Sequence, residues 1–269
     1  VLDHVHATDA VLAAKFVQLH HDLGGRQGFA VHGNRIAVLY AEGDIVDGEA
    51  PEREVGGETL AAKLADLRRD EEVKAVVLRV NSPGGSALAS EVIWHEMELL
   101  RAEKPVVVSM GNVAASGGYY IACPADVILA SPTTITGSIG VFGLLFNAGQ
   151  GLKDKLGVTV DVAKTNPSAD IGLPFREVSP AERDYLQHNV ERVYAGFVKH
   201  VAEGRNLTEA QVDSIGGGRV WSGVSALDNG LIDAWGGLSD AISLAADRAG
   251  VGDDFSISVP SQAPDLFTR

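Results

Sequence analysis

The chain has 269 residues and a mass of 28.2 kDa, and 45% of its residues are hydrophobic, enough to bury the core of one large domain or two small ones. Its formal net charge of -14 and its pI near 4.9 argue against nucleic acid as a partner, because phosphate binding requires clustered lysine and arginine. Cys123 is the single cysteine and excludes an internal disulfide, and no CxxC or HExxH-type metal spacing occurs.

Residues 1–33 differ from the rest of the chain. Residues 10–19 have the apolar spacing of a short helix, and five of the eight histidines lie nearby: His4, His6, His20, His21 and His32. We interpret this segment as a linker-like helix, in preference to a metal site, and predict neither a metal nor another cofactor.

No apolar run approaches the roughly 20 residues that span a bilayer, and the chain begins with Val. We therefore expect a processed or excised fragment whose membrane anchor lies upstream.

From Arg35 onward, predicted strands alternate with predicted helices. The strands are expected at residues 36–40, 73–80, 105–109, 127–130 and 158–163. The helices are expected at residues 60–67, 87–100, 116–122, 180–201, 207–215, 223–229 and 238–248. Ser179 to Glu182 has the spacing of a capping box before the longest helix. The alternation predicts an α/β fold with a mainly parallel sheet and right-handed crossovers, in a main domain of residues 34–250 followed by a tail of residues 251–269.

Two small-residue turns follow predicted buried strands. Residues 81–85 read NSPGG, and residues 114–118 read AASGG, with Ser116 between small neighbours. Glycine lets the backbone turn sharply and approach a ligand closely. A serine where a strand passes into a helix can present its hydroxyl to a cleft, beside the unpaired amides of the helix start. We expect the two turns to meet and to build an acyl-transfer site.

Acyl transfer needs a nucleophile, a base, and amide donors for the developing oxyanion. Ser116 is the predicted nucleophile, and the amides of Gly117 and Gly85 are the predicted donors. The competing interpretation is that AASGG is only a tight contact between a strand and a helix. The NSPGG turn after the preceding strand favours the catalytic interpretation.

The general base is harder to assign. Three histidines lie outside the N-terminal segment: His95, His188 and His200. All three fall on predicted helices, and none lies in the loops just after Ser116, so a Ser-His-Asp arrangement is disfavoured. A lysine whose pKa is lowered by burial is the other option. The lysines after Ser116 are Lys153, Lys155, Lys164 and Lys199, and only Lys164, at the end of a predicted strand, is retained as a candidate internal base.

These motifs resemble the signal peptide peptidase A family of serine proteases, which share the Clp protease/crotonase-type fold. The resemblance runs from about Asn34 to Gly250 and is greatest to the C-terminal half of the long, two-repeat bacterial form. Its motifs are VVLRVNSPGGSALASEV, KPVVVSMGNVAASGGYYIACPAD, TGSIGVFG and GRVWSGVSALDNGLID. The resemblance implies that Ser116 is the nucleophile, that Gly85 and Gly117 supply the oxyanion hole, and that Ser138 orients a general-base lysine.

One position departs from the family pattern. Short family members carry the lysine in the loop before the Pro-Phe that matches Pro174-Phe175, and the matching residue here is Ala169. In the long form the lysine belongs to the N-terminal repeat. The resemblance therefore implies that this chain borrows its base from that repeat, with Lys164 as a weaker substitute.

The leading functional expectation is a serine endopeptidase that degrades signal peptides and other apolar peptides. The resemblance further implies a ring- or dome-shaped homo-oligomer on the periplasmic side of the bacterial inner membrane. Two alternatives remain open. One is a catalytically incomplete half that completes an assembly and binds peptide. The other is a crotonase-like acyl-CoA enzyme, which needs acidic residues beside the oxyanion hole; Glu91 and Glu96 are expected to face solvent instead.

Overall fold

A computed structural model describes residues 33–50 and 53–260. The helix and the histidines predicted within residues 1–32 lie outside the described residues. The chain divides into two compact units. Among the described residues, unit 1 comprises residues 33–50, 53–140 and 197–260, and unit 2 comprises Val141–Gly196.

Unit 1 contains the strands of the described chain. They are β1 (Arg35–Glu42), β2 (Ile45–Val46), β3 (Val55–Gly56), β4 (Val73–Ser82), β5 (Val106–Ala115), β6 (Val127–Ala130), β7 (Ile135–Gly137), β8 (Val220–Ser222), β9 (Ala234–Trp235) and β10 (Ser256–Ser258). Six form a parallel path in the order β10-β1-β4-β5-β6-β9, while β7 pairs with β5 and β8 pairs antiparallel with β7. The strands β2 and β3 form a separate parallel pair. The predicted α/β fold with a mainly parallel sheet is confirmed.

Helices connect most of these strands. They are α1 (Gly57–Arg69), α2 (Ala87–Glu103), α3 (Gly117–Ala122), α4 (Gly149–Leu156), α5 (Pro180–Arg205), α6 (Glu209–Ile215), α7 (Gly223–Asp228) and α8 (Leu238–Arg248). The bounds of α8 and β6 agree with the predicted ranges. The strand β10 lies within the predicted tail of residues 251–269 and pairs with β1, so the tail contributes to the main sheet.

The core of unit 1 follows the alternation of side chains along the strands. Ile36 and Val38 of β1, with Val77 of β4, point to the face that α8 covers through Ala241 and Ile242. The intervening strand residues point to the opposite face and are equally buried. Strands buried on both faces read as almost continuous apolar runs, which is why the sequence pattern was recognisable.

Unit 2 is less regular than predicted. The helix α5 begins at Pro180 with the predicted capping box, in which the Ser179 amide donates to the Glu182 carboxylate and the Glu182 amide donates to Ser179 Oγ. The strand predicted at residues 158–163 is wrong, because this segment is mostly exposed and has no strand partner. Its Val and Thr residues favour strand geometry, but a strand also needs a neighbouring ladder to satisfy its backbone.

Candidate active site

The two glycine turns are in contact, as predicted. A Cβ atom on Gly84 would lie 2.5 Å from the Gly117 amide nitrogen and 2.9 Å from Ser116 Cβ. Gly84 also has φ +101°, a conformation that L side chains rarely adopt. Only glycine permits this approach, and it brings the NSPGG turn against the residue at the start of α3.

The amides of Gly85 and Gly117 are both available at this contact. Ile45 bridges to Gly85 by donating its amide to the Gly84 carbonyl (2.9 Å) and accepting from the Ser86 amide (2.7 Å). The Gly85 amide itself therefore points away from Ile45. Gly117 is the first residue of α3, where amides lack an intrahelical acceptor. Within residues 33–50 and 53–260, no hydrogen bond occupies either amide.

Two serines at this place have strained backbones. Ser116 has φ 52° and ψ -120°, and Ser138 has φ 50°. In the described part of the chain, only two other non-glycine residues have positive φ, Arg53 and Asn206. Such strain costs about 1–3 kcal/mol per residue and persists only where the surroundings enforce it. Residues with such backbone conformations cluster at active sites and ligand-binding loops.

Backbone pairing brings Ser116 and Ser138 together. Ala115, the last residue of β5, pairs with Gly137, the last residue of β7. Ser116 and Ser138 directly follow these two paired residues. The Ser116 amide donates to the Gly137 carbonyl (2.9 Å), while the Ser138 amide donates to Arg219 O (2.7 Å). The structure therefore gathers Ser116, Ser138, Gly85 and Gly117 within unit 1, on the turns that were identified from sequence.

Two tyrosines that were not identified from sequence anchor α3. Tyr119 is fully buried and donates its hydroxyl to Leu231 O (2.8 Å), and Tyr120 donates its hydroxyl to Glu91 Oε2. Burial, followed by the Glu91 carboxylate, raises the pKa of Tyr120. Because the Tyr120 amide donates to Ser116 O (2.9 Å), this helix fixes the backbone of the candidate nucleophile.

The expectation that Glu91 and Glu96 face solvent holds only in part, because both carboxylates have protein partners and Glu96 is mostly covered. The side chain of Glu91 is 47% exposed and accepts from Tyr120, and that of Glu96 is 21% exposed, with its Oε2 3.7 Å from Arg68 Nη2. The apolar stripe of α2 is incomplete on this side, and α3 and α1 supply polar partners there. A helical pattern alone does not reveal such partners.

Each of the three histidines after residue 33 either contacts other side chains or the backbone, or is exposed to solvent. His200 Nε2 lies 3.2 Å from Glu91 Oε2, and its ring stacks on Trp94 with centroids 3.6 Å apart. His95 is exposed, and the ring of His188 bonds to Asp184 O of its own helix at 2.8 Å. Each therefore has a structural role or faces solvent. In the described ranges, no three His, Cys, Asp or Glu residues form a group that could hold a metal ion.

The candidate base Lys164 forms an ion pair and a hydrogen bond within unit 2. Its Nζ lies 3.0 Å from Asp170 Oδ1 and 2.9 Å from Pro167 O. A general base needs a neutral amine with a free lone pair, whereas this ammonium acts as a donor in an ion pair. Ala169, the residue that the family resemblance is expected to align with the lysine, offers no proton-accepting side chain.

Lys164 belongs to an ion-pair network that organises unit 2. Arg176 Nη2 donates to Asp170 Oδ1 (2.6 Å) and to Glu182 Oε1 (2.7 Å), and each carboxylate residue is only 5% exposed. Hydrogen bonds from Arg176 hold the pKa of both carboxyl groups well below their usual range. The network ties the loop of residues 164–178 to the start of α5.

This network predicts acid sensitivity. The folded-state pKa values of Asp170 and Glu182 are lowered, so their contribution to stability is present above the unfolded pKa, about 4, and is lost as the pH falls. We expect the unfolding temperature to fall below about pH 4. In Arg176→Met it should be lower at pH 7 and depend less on pH, whereas the control Arg192→Met, on an exposed position of α5, should match wild type. Identical curves of unfolding temperature against pH for Arg176→Met and wild type would contradict this account.

Comparisons with known proteins identify two matching families and several protease relatives. The model of Peptidase family S49 matches residues 98–252, and the Clp protease model matches residues 30–132. Protease 4 of Salmonella typhi is 48% identical over 81% of this chain and 35% of its own length, and the chloroplastic serine protease SPPA of Arabidopsis thaliana is 37% identical over 81% of this chain and 33% of its own length. This chain thus spans about a third of the length of these relatives.

The fold also matches a solved structure. A ClpP1 mutant from Listeria monocytogenes superposes with a TM-score of 0.50 at 16% sequence identity, covering 76% of this chain and 94% of that chain. At this identity the match concerns the fold alone, and the Clp protease-type fold predicted from sequence is confirmed. The family model covers more than half of the chain, and its match includes both strained serines. The chain belongs to peptidase family S49.

Proposed function

We propose that this chain is the nucleophile-bearing part of a serine endopeptidase. The observation that carries the proposal is the meeting of two strained serines, Ser116 and Ser138, with the unpaired amides of Gly85 and Gly117. Backbone strain of this kind is concentrated at functional sites. A nucleophile beside two free amides supplies two of the three parts that acyl transfer requires, and the third is a general base.

In the proposed reaction, Ser116 Oγ attacks the scissile carbonyl carbon while a neutral lysine takes the hydroxyl proton. The carbonyl π electrons move to oxygen, and the amides of Gly85 and Gly117 donate to this oxyanion. Its collapse breaks the C–N bond, and the lysine gives its proton to the leaving amine. A water molecule, deprotonated by the same lysine, then hydrolyses the acyl-enzyme. Ser138 orients the lysine through its hydroxyl.

The lysine in this proposal comes from outside the chain. Ala169 stands at the family's lysine position, and Lys164 already donates to Asp170 and Pro167. The two relatives are roughly three times as long as this chain. Their additional sequence is long enough to contain a complementary repeat. We therefore propose that the nucleophile and the base are contributed by different repeats of a longer protein.

The substrates proposed are signal peptides and other unfolded apolar peptides, cleaved on the periplasmic side of the bacterial inner membrane. The family resemblance supports this assignment. No helix in residues 33–50 and 53–260 is long and apolar enough to cross a membrane.

Assembly into a homo-oligomer is supported by the surface of unit 2. Ten large apolar side chains are exposed there: Phe142, Leu144, Leu145, Phe146, Leu156, Val158, Val160, Leu173, Phe175 and Tyr185. Residues 141–196 carry seven acidic and six basic side chains, so nearly all of the net charge of -14 lies elsewhere. Apolar surface with little net charge is suited to contact with other subunits.

The crotonase-like alternative is disfavoured by the same contacts. Glu91 accepts from Tyr120 and lies beside His200, and Glu96 lies beside Arg68, so neither is a free acid for acyl-CoA chemistry. Binding of a CoA thioester would support that alternative. The other candidate, a non-catalytic half that binds peptide, retains the turns but needs no reactive serine.

A serine-reactive probe separates the peptidase from the non-catalytic alternative. By full-length protein we mean the proposed longer protein that contains both this chain and the complementary repeat. We expect a fluorophosphonate to label this protein on Ser116, and mass spectrometry of the digest locates the label. We expect no labelling at this position in Ser116→Ala. The reason is that the probe forms a tetrahedral adduct which uses the same two amides. Absence of labelling at Ser116 in the folded full-length protein would favour the non-catalytic half.

A further inference from the structure

The strand β5 changes its partner halfway along, at a two-residue insertion. Val80 of β4 pairs with Met110, and the next pair is Ser82 with Ala114. One residue of β4 therefore faces three residues of β5, which are residues 111–113. Before the insertion β5 pairs with β6, and from Val113, the last residue of the insertion, β5 pairs with β7, the strand that leads to Ser138.

Asn81 is the residue of β4 that faces this insertion. Its Oδ1 accepts from the amides of Asn112 (3.1 Å) and Val113 (3.2 Å), and a Cβ on Gly111 would lie 2.8 Å from the same oxygen. On the other side, Thr134 Oγ1 donates to the Gly111 carbonyl (2.8 Å). The Asn81 Oδ1 atom thus accepts hydrogen bonds from two backbone amides that the insertion removes from the sheet ladder.

The insertion determines which residues of the two turns meet. Paired residues of β4 and β5 differ by 30 positions before it and by 32 positions after it. A difference of 32 brings Ser116 opposite Gly84, which is the contact observed, whereas a difference of 30 would bring Ala114 there. On its other edge, this end of β5 pairs with β7, where Ala115 lies opposite Gly137, the residue that precedes Ser138.

We propose that Asn81 is a positioning residue for the acyl-transfer site, whose carboxamide oxygen holds the β5 insertion and so sets Ser116 against the amides of Gly85 and Gly117. Bulges are over-represented beside active sites, where they re-aim a side chain. Asn81 acts through the backbone and does not contact the reacting atoms. The inference rests on the proposed peptidase function.

The test compares three variants of the full-length protein on an apolar peptide substrate. Asn81→Ala removes the acceptor and should lower kcat by about 10²-fold, with KM within about 3-fold of wild type, because the oxyanion donors lose their alignment while peptide binding is kept. Asn81→Asp keeps the acceptor oxygen and should stay within about 5-fold of wild-type kcat. Ser109→Ala, before the insertion on the same strand, is the matched control and should behave as wild type.

Wild-type kcat in Asn81→Ala, or an Asn81→Asp variant as impaired as Asn81→Ala, would overturn the proposal. If Asn81→Ala does not fold, Gly111→Ala replaces it, because its methyl group would displace the carboxamide oxygen; wild-type kcat in that variant would likewise overturn the proposal. Ser116→Ala is measured in parallel. Activity retained in Ser116→Ala would refute the peptidase proposal itself, independently of Asn81.

Discussion

Replacing Ser116 with alanine is expected to lower kcat for peptide hydrolysis in the full-length protein by about 10⁴- to 10⁶-fold, because no other group forms the acyl-enzyme. KM should change little, since the hydroxyl contributes to bond making more than to substrate binding. Discontinuous assays with a signal-peptide-like substrate measure kcat and KM. Unfolding temperature, measured in parallel, should stay close to that of the wild type.

The matched control is Ser131→Ala. Ser131 is exposed in the connection between β6 and β7, so this variant removes a hydroxyl without touching the turns. It should retain wild-type kcat and KM. Residual activity of Ser116→Ala above a hundredth of wild type would assign the nucleophile to another residue.

Replacing Gly84 with alanine is expected to have the second largest effect. The added methyl group would lie 2.5 Å from the Gly117 amide and 3.0 Å from Ala115 O, and φ at this position is +101°. The turns must separate to admit it, so the two oxyanion donors can no longer converge. We expect kcat to fall by at least about 10²-fold and the free energy of unfolding to fall by about 1–3 kcal/mol.

Gly250→Ala separates backbone strain from the steric effect. Gly250 also has positive φ, at +69°, but an added Cβ would meet no atom within 4 Å. This variant should lose about 1 kcal/mol of stability through the backbone conformation alone and keep wild-type kcat. Equal activity of Gly84→Ala and Gly250→Ala would contradict the role assigned to the contact between the turns.

Much of unit 1 was predictable because its strands are buried on both faces. The apolar run of β4 and the spacing of α8 are local patterns, and in unit 2 the Ser179–Glu182 capping box is a local hydrogen-bond motif. The two glycine turns were found for the same reason. Close backbone approach at Gly84 admits no side chain, so the requirement is visible in the residue type itself.

The parts that were missed depend on pairing between distant segments. The insertion at residues 111–113 lies where β5 leaves β6 for β7, and Gly111, which interrupts the apolar run, does not by itself indicate which strand pairs next. Glu91 was expected to face solvent because the helix pattern does not reveal that Tyr120 lies beside it. Residues 158–163 have strand composition without a strand partner. Sequence patterns report local preference, while each of these outcomes was decided by tertiary context.

The central claim is that this chain holds the nucleophile and the oxyanion hole, while its general base comes from elsewhere. The most direct test is hydrolysis of an unstructured apolar peptide by the isolated 269-residue chain. We predict turnover no greater than that of Ser116→Ala in the same chain, because neither Ala169 nor the ion-paired Lys164 can accept the serine proton. Robust turnover that is abolished by Lys164→Ala but kept in the exposed control Lys199→Ala would contradict the claim.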